Sequence, residues 1–146
     1  MPNGKLSVTH YRAVHRHLFQ DIYAWAGEYR TVRIAKGKSL FCFPENIASE
    51  MRGLFADFRN AQCLRGTTRK EFASGAAHFL ATLNAIHPFR EGNGRAQLTF
   101  IVMLAEQAGH RLDLDRLVPD AFLRAMIWSF DGDEKPLTAA LEKLLD

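Results

Sequence analysis

One segment holds residues that make poor sense as packing and good sense as chemistry: His87-Pro88-Phe89-Arg90-Glu91-Gly92-Asn93-Gly94-Arg95. Pro88 disfavours the right-handed helical region at the residue before it, so His87 must leave the helix that leads into it. Gly92 and Gly94 bare the backbone where the next helical pattern begins. The unpaired N–H groups of that helix start, together with its dipole, form a site for an anion. Asn93 adds a side-chain amide donor and Arg95 a planar, permanently charged fork. A phosphate would therefore meet several donors at once. Glu91 contradicts a pure anion site unless a cation accompanies the anion. One carboxylate beside a phosphate cradle suits Mg²⁺, which takes one or two carboxylates plus phosphate oxygens. His87 stands one loop away, where it could take a proton from an attacking hydroxyl.

Each of these residues also has a bland reading. A His before Pro is commonly a loop residue, Gly-Asn-Gly a helix boundary, and an Arg in a first turn a surface charge. Short motifs match singly by accident; the conjunction of several within one loop is what argues for a site.

The loop needs rigid elements on both sides. Thr68 to Ile86 reads as a helix, opened by the capping-box pattern Thr68-Arg69-Lys70-Glu71 and striped by Phe72, Ala76, Phe79, Leu80 and Leu83. Asn93 to Ala108 reads as the next, stopped by Gly109. It is apolar on most sides, which predicts the central, buried helix. The first 30 residues also read as helix, with Tyr11, Val14, His15, Leu18, Ile22 and Trp25 at helical spacing, Ser7 and Thr9 as candidate N-caps and Gly27 as the stop. Residues 31–44 differ: Val32 and Ile34 alternate with polar neighbours, Lys36-Gly37-Lys38-Ser39 is turn chemistry, and Leu40-Phe41-Cys42-Phe43 runs back. A lone β-hairpin must lean on helices to persist. A helix from Glu45 to about Gln62 carries Ile47, Met51, Leu54, Phe55 and Phe58 on one face, and two shorter helices start at Pro119 and Pro136. The predicted class is all-α: a helical bundle with one β-hairpin, forming a single domain over residues 1–146.

Composition sets bounds. The chain of 146 residues is 47% hydrophobic and 24% charged, which suits one globular unit and excludes disorder, collagen and coiled coil. Net charge is +3, too mild to argue for nucleic acid. The charge is uneven, with seven Lys/Arg against two Asp/Glu in residues 1–38, an electropositive edge that suits an anion or is a plain solvated face. Two cysteines, Cys42 and Cys63, give neither a disulfide framework nor a metal pattern, as expected of reducing cytosol. The longest apolar run, Phe100 to Ala105, is far short of a membrane span, and no signal peptide is visible. Neither nucleic acid nor membrane is expected as a partner.

The nine-residue loop resembles the signature of the Fic (filamentation induced by cyclic AMP) family, His-x-Phe-x-(Asp/Glu)-Gly-Asn-Gly-Arg followed by x-x-Arg. Leu18 to Arg30, the Val32–Pro44 hairpin and Leu104 to His110 resemble the family as well, so the likeness covers most of the chain. It is nearest the bacterial toxin branch, with FicT-like toxins and Bartonella-like effectors. The resemblance implies transfer of AMP from ATP to a protein Tyr, Thr or Ser hydroxyl, with Mg²⁺ as cofactor and pyrophosphate released. It implies His87 as catalytic base and Glu91 as metal ligand. Phe89, Arg90, Gly92, Asn93, Gly94 and Arg95 would be the nucleotide-binding set, Phe89 buried as the loop's anchor and Arg95 on the β-phosphate. Lys36, Gly37, Lys38, Ser39, Leu40 and Phe41 would form a flap that pairs with the target's backbone as an added strand. Leu40, Phe41 and Phe43 are apolar residues that a bare hairpin would expose.

The likeness has one departure. Where the pattern has its second Arg, commonly on the γ-phosphate and paired with an inhibitory Glu, this chain has Leu98. Leu98 fits a packing stripe with Ile101, Val102 and Ala105. Transfer is expected to survive with weaker nucleotide affinity. The family's self-inhibiting pattern, (Ser/Thr)-x-x-x-Glu-(Gly/Asn), is not found in the sequence. The resemblance then implies either a separate small antitoxin that supplies the Glu on a helix or an inhibitory helix outside this stretch. The abrupt start at a first helix reads as an excerpt of a longer protein.

Rival readings fall in other classes. Gly37-Lys38-Ser39 ends like a Walker motif, but Val32 stands where its first Gly belongs and the tripeptide lies in a hairpin turn. His10, His15, His17, His78 and His110 show no paired ligand spacing for a metal hydrolase. A Fic-fold phosphotransferase would depart at the second Gly of the loop, where Gly94 is present. A non-catalytic binding module would not need His87 and Glu91. For targets, toxin relatives imply DNA gyrase and topoisomerase IV in the bacterial cytoplasm. Effector relatives imply host proteins such as small GTPases after translocation into a host cell. The short flap without a charged insertion favours the toxin alternative.

Overall fold

The computed structural model describes residues 1–146, apart from the side chain of Ser39. Helix α1 spans Val8–Phe19, with the Ser7 hydroxyl accepting the His10 N–H as its N-cap. It is much shorter than the periodicity predicts. The chain leaves the helix at Gln20 and turns through residues 20–34, so Ile22 is exposed and Gly27 lies in this turn region, not at a helix end. The apolar spacing there reflects separate contacts: Trp25 stacks on Tyr23 at 4.2 Å and lies 6.1 Å from His15, ring centre to ring centre.

Strands β1 (Ala35–Lys36) and β2 (Ser39–Leu40) pair antiparallel, Ala35 opposite Leu40 and Lys36 opposite Ser39. The hairpin is real but has only two residues per strand, with Gly37 at φ +56° in its turn. It leans on helices as expected: the Cys42 N–H donates to the Ala85 carbonyl at 3.1 Å.

A 3₁₀ turn over Pro44–Asn46 leads into α2 (Ile47–Asn60), which buries the five apolar residues predicted for it. Helix α3 (Arg69–Ile86) opens with both halves of the Thr68/Glu71 capping box formed. Helix α4 (Asn93–Ala108) runs between the predicted limits and ends at Gly109, φ +90°. Helices α5 (Pro119–Phe130) and α6 (Lys135–Leu144) start at or beside their prolines. The architecture is all-α with one small hairpin, as predicted.

The central helix is α3, not α4. It touches α2, α4, α5 and α6, while α4 packs on α1 and α3. Ala73, Ala76, Ala77 and Ala81 are buried along α3 and let neighbouring helices approach closely. An aromatic cluster of Tyr11, Phe55, Phe79, Phe89 and Phe100 fills the space between α1, α2, α3 and α4. Among the described residues no helix is long and apolar enough to cross a membrane.

Candidate active site

The site is built on the junction of α3 and α4. His87 caps α3 in the left-handed region, φ +51° and ψ +65°, with its N–H still donating to the Leu83 carbonyl. Pro88 does keep His87 out of the right-handed helix, though by turning it left-handed and not extended. The helix end above it is held by Arg30, which is 3% exposed. The Arg30 guanidinium donates to the carbonyls of His87 at 2.7 Å, Ile86 at 3.1 Å, Val32 at 2.7 Å and Cys42 at 2.6 Å. Its own N–H donates to the Pro88 carbonyl at 2.9 Å. One buried side chain therefore ties the loop to the hairpin's base. No carboxylate pairs with it among the described residues, and burial lowers its proton affinity.

Below His87, Phe89 is fully buried and stacks on His15 with ring centres 3.7 Å apart. His15 accepts the Gly27 N–H at Nδ1, so its Nε2–H donates to the Glu91 carbonyl, both at 2.9 Å. Burial lowers its proton affinity, and the bond to Glu91 works against that fall. Asn93 is buried, and its amide closes the loop on itself: Oδ1 accepts the Phe89 N–H at 3.0 Å and Nδ2 donates to the Phe89 carbonyl at 2.7 Å. Phe89 and Asn93, expected in the nucleotide-binding set, are thus the parts that give the loop its shape. Phe89 is buried, as expected. The Asn93 amide is engaged within the loop, because a buried amide must find partners and the nearest are backbone.

Gly92 is required by the fold. It sits at φ +81° as the N-cap of α4, and a Cβ there would lie 2.4 Å from the Phe19 ring. Gly94 is not: a Cβ there would meet nothing within 4 Å. No side chain caps the start of α4, so its first N–H groups are left for a ligand. Arg90, Glu91 and Arg95 are exposed around this turn, Arg95 lying over the Phe19 ring at 5.2 Å and Arg90 over Trp25 at 5.9 Å.

A cavity of about 830 Å³ opens beside the loop. His87, Gly94, Gln97 and Leu98 form one wall, Lys36, Gly37, Lys38 and Phe41 of the hairpin a second, and Phe122, Met126 and Phe130 of α5 a third. Arg90, Glu91, Gly92, Asn93 and Arg95 do not line it. Phe41, expected on an exposed flap, is 5% exposed and lies flat on the His87 ring, 3.9 Å away and 8° from parallel. Leu40 is exposed as expected. The Ser39 side chain, also expected in the flap, lies outside what is described. Leu98 does not pack wholly inward on its stripe; it is half-buried and faces the cavity.

His87 is 8% exposed, and its Nδ1 is buried without a partner in hydrogen-bond geometry. Burial pushes its pKa down to about 4; the Lys36 and Arg30 charges add to the fall and the Asn84 carbonyl opposes it. At neutral pH the imidazole is therefore uncharged and able to accept a proton. Three residues of this site were not singled out by sequence reasoning: Arg30, His15 as a strut, and Phe41 as a ring partner of His87. An Arg next to apolar stretches and a His on an apolar helix stripe are weak signals, and their partners are main-chain atoms far along the chain.

The sequence pattern of the Fic/DOC family matches residues 5–105. The probable protein adenylyltransferase y4lH of Sinorhizobium fredii is 52% identical across 99% of this chain and 76% of its own length. The protein adenylyltransferase VbhT of Bartonella schoenbuchensis is 38% identical across 98% of this chain and 30% of its own length. Among solved structures, the BepC effector protein of Bartonella tribocorum with bound AMPPNP superimposes with a TM-score of 0.91 at 25% identity, covering 99% of this chain and 77% of that one. With the loop, the hairpin and the helical frame all in place, the chain belongs to the Fic/DOC family, among its protein adenylyltransferases.

Proposed function

We propose that the chain transfers AMP from ATP to a hydroxyl of a protein docked at the hairpin. One observation carries this reading: a neutral, buried His87 lines one cavity with Gly94, in the uncapped first turn of α4. The first suits a general base for an incoming hydroxyl. The second suits phosphate, held by backbone N–H groups and the helix dipole. A structural relative with bound AMPPNP supports ATP as the substrate. Gly92, Asn93 and Gly94 hold the phosphates through main chain, and Arg95, exposed on the first turn of α4, reaches the leaving pyrophosphate. Arg90 flanks the same turn.

Among the described residues no three His, Cys, Asp or Glu side chains gather as a metal site. Glu91 alone, exposed beside the phosphate-binding turn, fits Mg²⁺ that takes most of its remaining ligands from phosphate and water. When bound, the ion neutralises phosphate charge. The protein's own part is to fix the loop, keep His87 neutral and present the hydroxyl in line. Lys36 to Phe41 carry the target, their short strands offering backbone to an extended segment.

A separate regulatory protein that supplies an inhibitory carboxylate, and a bacterial type II topoisomerase as target in the cytoplasm, complete the toxin form of this reading. The likeness to a VirB-translocated effector supports a second form, in which the targets are host proteins. Incubation of bacterial and host lysates with labelled ATP and Mg²⁺ tests both. The wild type labels a discrete protein with an AMP adduct, and His87→Ala lowers the rate by about a thousandfold or more. Equal labelling by the two proteins, or a phosphate in place of AMP, overturns the reading.

A further inference from the structure

The walls of the cavity are unequal in charge. The α4 wall presents Gly94, Gln97 and Leu98, and the α5 wall is apolar apart from Asp131 at its end. The two ammonium groups that line the cavity, Lys36 and Lys38, both come from the hairpin. They flank the turn at Gly37 and are exposed, so neither is needed for packing. Neither makes an ion pair with a carboxylate among the described residues. Leu98 lines the cavity beside Gly94 and Gln97, and its side chain offers a polyphosphate nothing. Among the residues that line the cavity, the cations are the hairpin's.

We propose that Lys36 and Lys38 bind the outer phosphates of the nucleotide, so that the hairpin is a wall of the nucleotide site as well as a platform for the target. This rests on the reading of the cavity as an ATP site and adds to it the source of the positive charge. A mobile ammonium is suited to the task. It follows a leaving pyrophosphate as a point charge, without the fixed fork geometry of an arginine. The arrangement also makes nucleotide retention depend on where the hairpin sits. The position of Lys36 is consistent with this, since its charge already reaches the His87 ring.

The test is calorimetric binding of ATP and of AMP, with Mg²⁺, to the wild type and to Lys36→Gln/Lys38→Gln, paired with thermal unfolding of both proteins. Expected is ATP binding weakened roughly tenfold, in line with two partly exposed charge contacts. AMP binding should change by less than about twofold, with an unchanged midpoint of unfolding. Raised salt should weaken ATP binding to the wild type more than to the variant. If the variant binds ATP as the wild type does, the proposal is overturned, and all the more so if only the KM for a protein target rises, because the lysines then serve the target alone. An equal loss of AMP binding also overturns it. A wild type that binds neither nucleotide refutes the underlying reading of the cavity, a result distinct from all of these.

Discussion

His87 is held in a backbone conformation that a residue with a Cβ adopts at a cost of about 1 kcal/mol or more. Its ring lies flat on Phe41, and burial pushes its pKa down to about 4. Two consequences follow at this scale. The rate of transfer should be level from pH 8 to about pH 6 and fall only as His87 takes a proton near pH 4, as a pH–rate profile would record. Stability should respond over a different window, which begins at the unfolded chain's higher pKa. Well above pH 6.5 neither the folded nor the unfolded chain protonates this group. As pH falls from 6.5 towards 4 the unfolded chain binds the proton first, so stability is lost across that window, by at most about 3 kcal/mol. Urea unfolding of wild type and His87→Phe at pH 7 and pH 5 measures it. Gly94 offers the complementary experiment. Its absent Cβ has free space, so Gly94→Ala should stabilise the helix by about 0.5–1 kcal/mol while activity falls tenfold or more, roughly, as the methyl covers the backbone that phosphate would reach. Thermal unfolding and an AMP-transfer assay on the same sample separate the two effects.

At the scale of elements, the hairpin and the loop form one unit because a single arginine joins them. Arg30 satisfies carbonyls at the end of α3 and at both ends of the hairpin segment. Removing it leaves those acceptors buried and unpaired, so Arg30→Ala should cost about 2–4 kcal/mol in urea unfolding. Arg30→Lys should recover only part of the loss, since an ammonium has three donors and no planar fork. The helices around this unit follow their local signals closely. Where α3 begins, Thr68 and Glu71 decide it; where α4 ends, Gly109 does. The failure is α1, whose apolar spacing continues past its real end. Trp25 and its neighbours pack as single turns of irregular backbone, and periodicity cannot tell such contacts from a helical face.

For the whole molecule, the cavity is the decisive object, and it exists only because α5 closes over the junction of α3, α4 and the hairpin. Leu98 faces into that space and supplies no charge. Leu98→Arg should tighten ATP binding by about fivefold to tenfold through one added charge-assisted contact, as read by calorimetry. Unchanged binding would mean that the outer phosphates lie elsewhere.

The amino-acid sequence alone determined the chemistry-bearing loop and the ends of the helices beside it. Caps, prolines and glycines act within a few residues of themselves, and a nine-residue motif is local by nature. It did not determine what holds that loop. His15 meets the Glu91 carbonyl 76 residues away, and Arg30 meets the His87 carbonyl 57 residues away. Every residue has a carbonyl, so bonds of this kind leave no mark on residue type. The placing of Phe41 on the His87 ring, and of two lysines beside a leucine in one cavity, was likewise decided only when the hairpin and α5 packed against the α3–α4 junction.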